Sequence, residues 1–436
     1  MSEWFLTVDN DVLTYNGYGL IVSDRVPYID IKCPAGFDPE EEGCGKSYGT
    51  WSIVSVGENV WRFSCKYSIW HDLFYNNRDP RQGDFRASDG AFQCVGSGNT
   101  DLVVYMDGLF RACSGLTSCV TIDTSSCINL SAMFSECSNL TAVPYLNTER
   151  NLDFNCFVND CRSLTSVDPG IVTTNGRSFW QMYQNCTSIV TIPTIDLRNA
   201  NDTYWSEFSE RPGNDRMFHD CVNLKNVHLI GGSGVSYFGA MFLGCDDTDL
   251  EITWDDCYLP LVTGNEIDYY NGTNVPMFSD SYTRPFKSIS SMSFPNLARN
   301  FSNHFPRARK YGNIIMPRVD FTDNDTALPL LIIPQTCTEI GTFDFSNAVA
   351  STYTFVASFE GCSAMTKFPD IRFPSTTGLD YQRTFADMPN VGAGAYNMYL
   401  TLSANNPYST YHTFYNCGTN TLAGQADLAR IPNSWK

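Results

Sequence analysis

The sequence has few charged residues and little of what enzymes commonly use for chemistry. Only 17% of its 436 residues are charged, and only five are histidines. It contains no H-E-x-x-H or C-x-x-C spacing, no G-x-S-x-G turn and no phosphate-binding loop. We therefore expect no metal, no cofactor and no catalytic residues. No apolar run approaches the roughly 18 residues of a spanning helix, which predicts that the chain does not insert into a membrane.

The N-terminus and the net charge limit the classes of partner. The first residues, MSEWFLTVDND, lack a basic segment followed by an apolar core, so no Sec signal peptide is predicted. Outside a cell the protein would need another exit, and assembly into a virus particle released by lysis is one. The formal net charge of −19 opposes binding to nucleic acid and to anionic lipid surfaces. The charge is compatible with divalent cations and neutral glycans, but it selects neither.

Eight of the seventeen cysteines mark an internal repeat with the pattern M-F-x-x-C-x-x-L-[ST]-x-[VI]. The first six are spaced 24, 24, 25, 35 and 24 residues apart. They are Cys113, Cys137, Cys161, Cys186, Cys221 and Cys245. The pattern returns in degraded form around Cys362 and Cys417, while Ser281 and Met388 take the cysteine place in two other units. These replacements indicate a small or soft interior position and not a metal ligand.

Each repeat unit contains two kinds of segment. Residues such as Leu140–Pro144 alternate and are β-branched, which is typical of a short strand, while 129–137 space apolar residues at helical intervals. One coil cannot bury its own apolar face, so successive coils must stack. The sequence therefore predicts a leucine-rich-repeat-like solenoid of short parallel strands plus short helices, with a small β-rich N-terminal domain. Its predicted interior comprises Phe110, Cys113, Leu116, Phe134, Cys137, Leu140, Cys161, Leu164, Cys186, Ile189, Phe218, Cys221, Leu224, Phe242, Cys245, Cys362 and Cys417.

This stacking also predicts the state of the repeat cysteines. Side chains in parallel register would have Cβ atoms about one strand spacing, roughly 4.8 Å, apart. A disulfide needs about 3.5–4.5 Å between its Cβ atoms. The cysteines of the repeat are therefore expected to be reduced and buried.

The repeat pattern divides the chain into four predicted regions. Residues 1–100 lack the repeat and form a β-rich domain that either docks to a partner or caps the solenoid. Within it, strands are expected on both sides of a turn at 57–59. Residues 101–257 hold the regular repeats, and 258–350 hold degenerate repeats or an insertion. Residues 351–436 hold the C-terminal repeats and a cap.

Two of these units resemble a known family. The segments MFSECSNLTAVPYLNT and FEGCSAMTKFPDI are similar to the BspA family of leucine-rich repeat surface proteins. The ending TFYNCGTNTLAGQADLARIPNSWK resembles the terminal unit of short, signal-less members found in gut bacteria and their phages. The resemblance covers roughly residues 109–436. It implies a leucine-rich repeat fold but no single function, since the family includes adhesins and host-binding proteins.

The 35-residue spacing contains an insertion, residues 199–216, which is a candidate binding loop. Insertions into solenoids form loops on one face, often the binding face. Its candidate binding residues are Tyr204, Trp205, Glu207, Glu210 and Arg211. The aromatic rings could stack on a sugar whose hydroxyls bond the acids. The alternative is a surface loop held in place by its aromatic side chains.

Acidic clusters at 246–249, 255–256 and 323–325 support a different hypothesis. Paired carboxylates can hydrolyse glycosides or bind Ca²⁺. None of the clusters matches an EF-hand loop, and solvated turns are the simpler interpretation. A glycan-degrading enzyme would require one acid pair, such as the one containing Asp255 or Asp325, to be essential.

Together these observations predict a non-enzymatic protein of a bacteriophage particle. It would be a virion structural or receptor-binding protein, adhesin-like, that presents a repeat face to a protein neighbour or a host-surface glycan. Its expected partners are other virion proteins or further copies of itself, and a host glycan or protein. The alternatives are a bacterial cell-surface adhesin and a glycan-degrading enzyme.

Overall fold

The structure of the protein is a computed structural model that comprises two compact units, residues 1–224 and 225–436. The residues that it describes are 7–9, 12–15, 18–21, 24–40, 44, 51–70, 73, 91–201, 215–235, 240–245, 249–256, 286–290, 292–293, 308–315, 333–346, 350 and 352–436.

The first unit begins with β-strands, as predicted. They are β1 (Thr7–Asp9), β2 (Val12–Tyr15), β3 (Tyr18–Ile21), β4 (Tyr28–Lys32), β5 (Ser52–Gly57), β6 (Val60–Ser64) and β7 (Phe92–Gly98). Strands β1–β3 form an antiparallel sheet, and β5 pairs antiparallel with β6 across a turn at Asn59, where φ is 58°. The small β-rich N-terminal domain is thus confirmed.

Parallel pairing links the N-terminal strands to the first repeat coils. The strands of the coils are β8 (Leu116–Cys119), β9 (Ala142–Val143), β10 (Ser166–Val167) and β11 (Ile195–Leu197). Strand β7 pairs antiparallel with β4 and parallel with β8, so one sheet continues from the N-terminal domain into the repeat. Strands β9 and β10 pair parallel, and single parallel bridges connect successive coils. These bridges join Ile69, Tyr105, Asn129, Asp153 and Ser178 in that order.

The segment before each repeat cysteine forms turns, although its apolar spacing predicts a helix. Two residues of each such segment, Ala132 and Glu136 in one coil, have left-handed φ angles of 52° and 64°. A right-handed helix cannot pass through these positions. The Cys137 amide donates to a carbonyl three residues back, whereas the Phe134 amide donates to Phe157 of the next coil. The turns therefore replace intrahelical hydrogen bonds with bonds between coils.

The second unit repeats this parallel architecture. Its strands are β12 (Asn226–Gly231), β13 (Glu251–Asp255), β14 (Ser288–Ile289), β15 (Met292–Ser293), β16 (Lys310–Tyr311), β17 (Ile314–Ile315), β18 (Glu339–Ile340), β19 (Thr342–Asp344) and β20 (Asp370–Arg372). They pair in the orders β12-β13-β14-β16-β18 and β15-β17-β19-β20, with every described pair parallel. The predicted repeat solenoid is confirmed.

Two α-helices lie on either side of the coil that carries Phe414. They are α1 (Ala395–Ser403) and α2 (Leu422–Arg430), and the Thr421 hydroxyl caps α2 by accepting from the Gly424 amide. The Phe414 amide, on the last coil, donates to the carbonyl of Trp435 at 2.8 Å. The end of the chain thus occupies a ladder position that a further coil would otherwise fill.

The interior of each unit is a ladder of aromatic rings and thiols. Every side chain of the predicted repeat interior is at most 2% exposed. Phe110 and Phe134 stack with centroids 5.5 Å apart in the first unit, and Phe385 and Phe414 stack at 5.6 Å in the second. Stacked coils therefore keep each ring at the same depth, as burial of a repeated apolar face requires.

The structure indicates why cysteine suits the repeat position. No disulfide joins the described cysteines, and the Sγ of Cys161 donates to the Phe134 carbonyl of the preceding coil at 3.0 Å. Cys137, Cys186 and Cys221 make the same kind of contact at 3.0–3.1 Å. Burial raises the pKa of these thiols. A thiol is small enough for the interior and still supplies a weak donor to the coil beside it.

Candidate binding face

The predicted binding loop and most of the predicted acid clusters lie outside the described residues. This applies to Tyr204, Trp205, Glu207, Glu210 and Arg211, and to Asp246, Asp247, Asp323 and Asp325. Asp255 is described: its Oδ2 lies 2.7 Å from Nε2 of His228, in an exposed pair on strands β13 and β12. An exposed carboxylate paired with an imidazole resembles a surface ion pair more than one half of a paired-acid site.

A row of polar side chains marks the outer surface of the turns, which we call the turn face. The residue directly before each repeat cysteine has a left-handed backbone, with φ of 57° at Asp160, 59° at Asn185 and 52° at Asn416. Asn and Asp tolerate this conformation better than most residues. The backbone therefore accounts for a polar row on this surface, whether or not a ligand binds there.

In the first unit, the turn face carries a shallow groove beside an ion pair. The carboxylate Oδ1 of Asp160 accepts from Arg162 Nη2 at 3.2 Å and from Asn185 Nδ2 at 3.0 Å. The groove has a volume of about 320 Å³. Its lining residues are Ala112, Ser114, Glu136, Ser138, Asp160 and Arg162. It has hydroxyls and charges but no aromatic ring.

In the second unit, the turn face carries an ion triad, defined as Glu360, Arg383 and Asp387. The Arg383 guanidinium donates from Nε to Glu360 Oε1 at 2.8 Å and from Nη2 to Asp387 Oδ2 at 3.1 Å. Its bond to Glu360 raises the pKa of Arg383. Asn416 Nδ2 donates to the other oxygen of Asp387 at 3.1 Å. Side chains from three successive coils thus hold one another in place.

A ring stack, defined as Tyr411, His412 and Tyr415, lies on the coil that follows Arg383 and Asp387. The His412 ring is 3.8 Å from the Tyr411 ring and 4.9 Å from the Tyr415 ring, centroid to centroid, with interplanar angles of 21° and 27°. In a strand, the side chains of successive residues point to opposite sides. His412 has a left-handed φ of 56°, and its ring instead lies on the same side as that of Tyr411. The amides of Arg383 and Asp387 donate to the carbonyls of Tyr411 and Tyr415.

The ring stack is open to solvent, unlike the other stacked rings of the repeat. Tyr411 is 57% exposed and Tyr415 is 46% exposed, whereas Phe414 between them in sequence is fully buried. The buried Nδ1 of His412 has no hydrogen-bond partner among the described residues. Other tyrosines are also exposed, namely Tyr145, Tyr353 and Tyr408. Aromatic residues are nevertheless enriched at contact surfaces, and Tyr411 and Tyr415 both stack on a third ring.

Rings beside fixed polar groups are a combination that a sugar can use. One face of a pyranose ring presents C–H groups that pack against an aromatic face, while its hydroxyls need donors and acceptors. The triad carboxylates and the Asn416 amide supply acceptors and a donor. Both carboxylates already bond one guanidinium, which fixes their position.

This site was not predicted from the sequence. Tyr415 was interpreted only as part of a repeat unit, and His412 only as one of the five histidines. A signal was present in the segment YSTYHTFY, which carries four aromatic residues and a histidine within eight positions. The repeat pattern places Phe414 in the interior, which implies that its neighbours face outward. The high density of aromatic residues that face outward in this segment was the signal that could have indicated the site.

Comparison with protein-family models, with curated proteins and with solved structures finds no match for this chain. The resemblance to the BspA family therefore stays a prediction. Within the described ranges, no group of three or more His, Cys, Asp or Glu side chains is arranged to hold a metal ion. No helix within them combines the length and the apolar character needed to cross a bilayer.

Proposed function

We propose that this protein is a non-enzymatic binding protein that recognises a glycan through the ring stack and the ion triad of its last coils. The observation that carries the proposal is the exposed stack of Tyr411, His412 and Tyr415 beside fixed polar side chains. Sites for small ligands combine aromatic surface with a few polar groups that set orientation. The turn face of the last coils has both.

The proposed site is held rigid before any ligand arrives. Backbone bonds tie Tyr411 and Tyr415 to the coil that carries Arg383 and Asp387, and Asn416 bonds Asp387 directly. Beneath them, Phe385 and Phe414 stack in the interior. A preorganised site loses little side-chain entropy when it binds, which favours affinity even for a weak ligand such as a sugar.

Within this class we propose a virion structural or receptor-binding protein of a bacteriophage, with a host-surface glycan as ligand. The support comes from the sequence: the net charge of −19 and the resemblance to the BspA family. Other virion proteins or further copies of this chain would be its protein neighbours. Mass spectrometry should detect the protein in purified phage particles. Detection only in the membrane fraction of an intact bacterium would identify a cell-surface adhesin instead.

The glycan site is tested by measuring binding of the full chain to an array of immobilised oligosaccharides. We expect Tyr411→Ala and Tyr415→Ala each to weaken binding about tenfold or more, since aromatic anchors commonly dominate a binding site. The matched control is Tyr145→Ala, because Tyr145 is 44% exposed and lies in residues 1–224.

Equal losses in all three variants would contradict the proposed site, as would the absence of binding to any oligosaccharide on the array. Release of reducing sugar from a bound oligosaccharide would show that the protein is an enzyme. Far-ultraviolet circular dichroism of each variant separates a lost contact from a lost fold.

A further inference from the structure

We infer that the ion triad makes the glycan site selective for uncharged sugars, with Glu360 as the specificity-determining residue. The inference rests on the proposed function, which it deepens by naming the class of glycan. An acidic sugar, such as a uronic acid, would be rejected at this site although it could still stack on the rings.

The charges of the triad carry the argument. Glu360 and Asp387 contribute two negative charges and Arg383 one positive charge, which leaves a formal charge of −1. Arginine is the side chain that most often recognises a carboxylate, because its planar fork bonds both oxygens. Here Nε and Nη2 of Arg383 are already engaged by carboxylates of the protein. The guanidinium of the triad is therefore compensated before a sugar arrives.

Partial burial makes this arrangement effective. The side chains of Glu360 and Arg383 are each 31% exposed and that of Asp387 is 36% exposed. Charges that are partly shielded from water act on a ligand more strongly than fully solvated ones. A sugar carboxylate that entered the site would meet net negative charge. It could not bond Nε and Nη2 of Arg383, because both nitrogens already donate to carboxylates of the protein. A hydroxyl in the same place would instead donate to a carboxylate oxygen.

Glu360 is the residue whose removal should change the selectivity. Its carboxylate accepts from both Nε and Nη2 of Arg383, whereas Asp387 accepts from Nη2 alone and is also bonded by Asn416. Glu360→Gln keeps an acceptor of the same shape but removes one negative charge. The triad would then be neutral, and Arg383 would be less tightly compensated.

The test uses matched pairs of immobilised oligosaccharides that differ only in oxidation at C6, such as galactose against galacturonic acid and glucose against glucuronic acid. The unchanged protein should bind the neutral member of a pair at least about tenfold more tightly than the acidic one. Glu360→Gln should shift the acidic-to-neutral affinity ratio about tenfold toward the acidic member. High salt should reduce the discrimination of the unchanged protein, because it screens charge.

The control is Glu339→Gln, which removes the same charge from another coil of the second unit and should leave the ratio unchanged. If neutral and acidic members bind equally to the unchanged protein, or if Glu360→Gln leaves the ratio where it was, the charge selection is wrong and the glycan site still stands. If no member of any pair binds, both the proposed function and the selectivity are overturned. Urea unfolding of Glu360→Gln shows whether the variant keeps its fold.

Discussion

The same polar arrangement occurs on the turn face of both units, but only one copy lies beside aromatic rings. Asn185 bonds Asp160 at 3.0 Å in the first unit, and Asn416 bonds Asp387 at 3.1 Å in the second. Each aspartate also accepts from an arginine. In the first unit this arginine is Arg162, which has one carboxylate partner and is 66% exposed. In the second unit it is Arg383, which has two carboxylate partners and is 31% exposed.

The comparison separates what the backbone requires from what a ligand would require. Asp160, Asn185, Asp387 and Asn416 all directly precede the cysteine place of a repeat unit, which Met388 fills in one case, and this position has a left-handed backbone. Neither cluster would indicate a ligand by its polar residues alone. Tyr411 and Tyr415 have no such backbone explanation, so the functional proposal depends on these rings.

The two units also differ in how many thiols their interiors hold. Ten described cysteines of residues 1–224 have a raised pKa. In residues 225–436 three do. Burial is the main cause in nearly all of them, and for Cys119 a hydrogen bond with Cys94 contributes most. Burial of so many neutral thiols makes the stability of the first unit depend on their remaining protonated.

The larger expected effect is therefore that the first unit unfolds at a lower pH than the second unit when the pH is raised. Cys127 and Cys156 have folded pKa values of about 12, against 9.0 for an unburied thiol. Below pH 9 both states keep the proton, so the stabilisation is complete. From pH 9 toward 12 the unfolded chain releases protons that the folded chain retains, so stability falls by up to about 1.4 kcal/mol per pH unit for each thiol.

Iodoacetamide labelling at successive pH values, followed by peptide mapping, measures this difference cysteine by cysteine. Cys127 and Cys156 should become reactive at lower pH than Cys362 and Cys417. Labelling at pH 7 in urea provides the control, because there all thiols become accessible without a change in protonation. Labelling of both units at the same pH would show that the number of buried thiols does not determine which unit unfolds first.

A smaller effect is expected at the left-handed position before the repeat cysteine. The first unit has Glu136 there with φ of 64°, and the second has Gly361 with φ of 76°. Glu136→Gly should raise the free energy of unfolding by about 0.5–1 kcal/mol, since glycine adopts this conformation without steric cost. Gly361→Ala should lower it by about 1–2 kcal/mol, because its Cβ would also lie 2.7 Å from Gln335 Nε2.

Guanidinium unfolding curves of the two variants measure both signs. Glu136→Ala is the matched control, since it removes the carboxylate but keeps a Cβ in the left-handed conformation. A gain in Glu136→Ala as large as that in Glu136→Gly would assign the effect to the charge and not to the backbone.

The solenoid was predictable because its apolar side chains recur at the interval of one coil and are buried at the same depth. Phe134, Cys137 and Leu140 recur at the intervals of one coil, and all three are fully buried. The turns were not predictable from the same residues, since apolar spacing cannot distinguish a helix from a chain of turns in which residues such as Ala132 and Glu136 have a left-handed backbone. That choice is made by hydrogen bonds between coils, such as the one from Phe134 to Phe157, which do not appear as a local pattern.

The candidate site was harder to predict than the fold for a related reason. The stack of Tyr411, His412 and Tyr415 depends on the left-handed φ at His412, and the contact of the triad with Asn416 depends on the register of three coils. Neither follows from the aromatic content of the segment. The insertion at 199–216 attracted the binding hypothesis because insertions are visible in a sequence, whereas register is not.

The bond from Phe414 to Trp435 has a consequence for association between molecules. A coil ladder with unpaired backbone groups is a template for any matching strand, including one from another molecule. Because the Phe414 amide already donates to the Trp435 carbonyl, this position of the ladder is satisfied within the chain and offers no donor to a second copy.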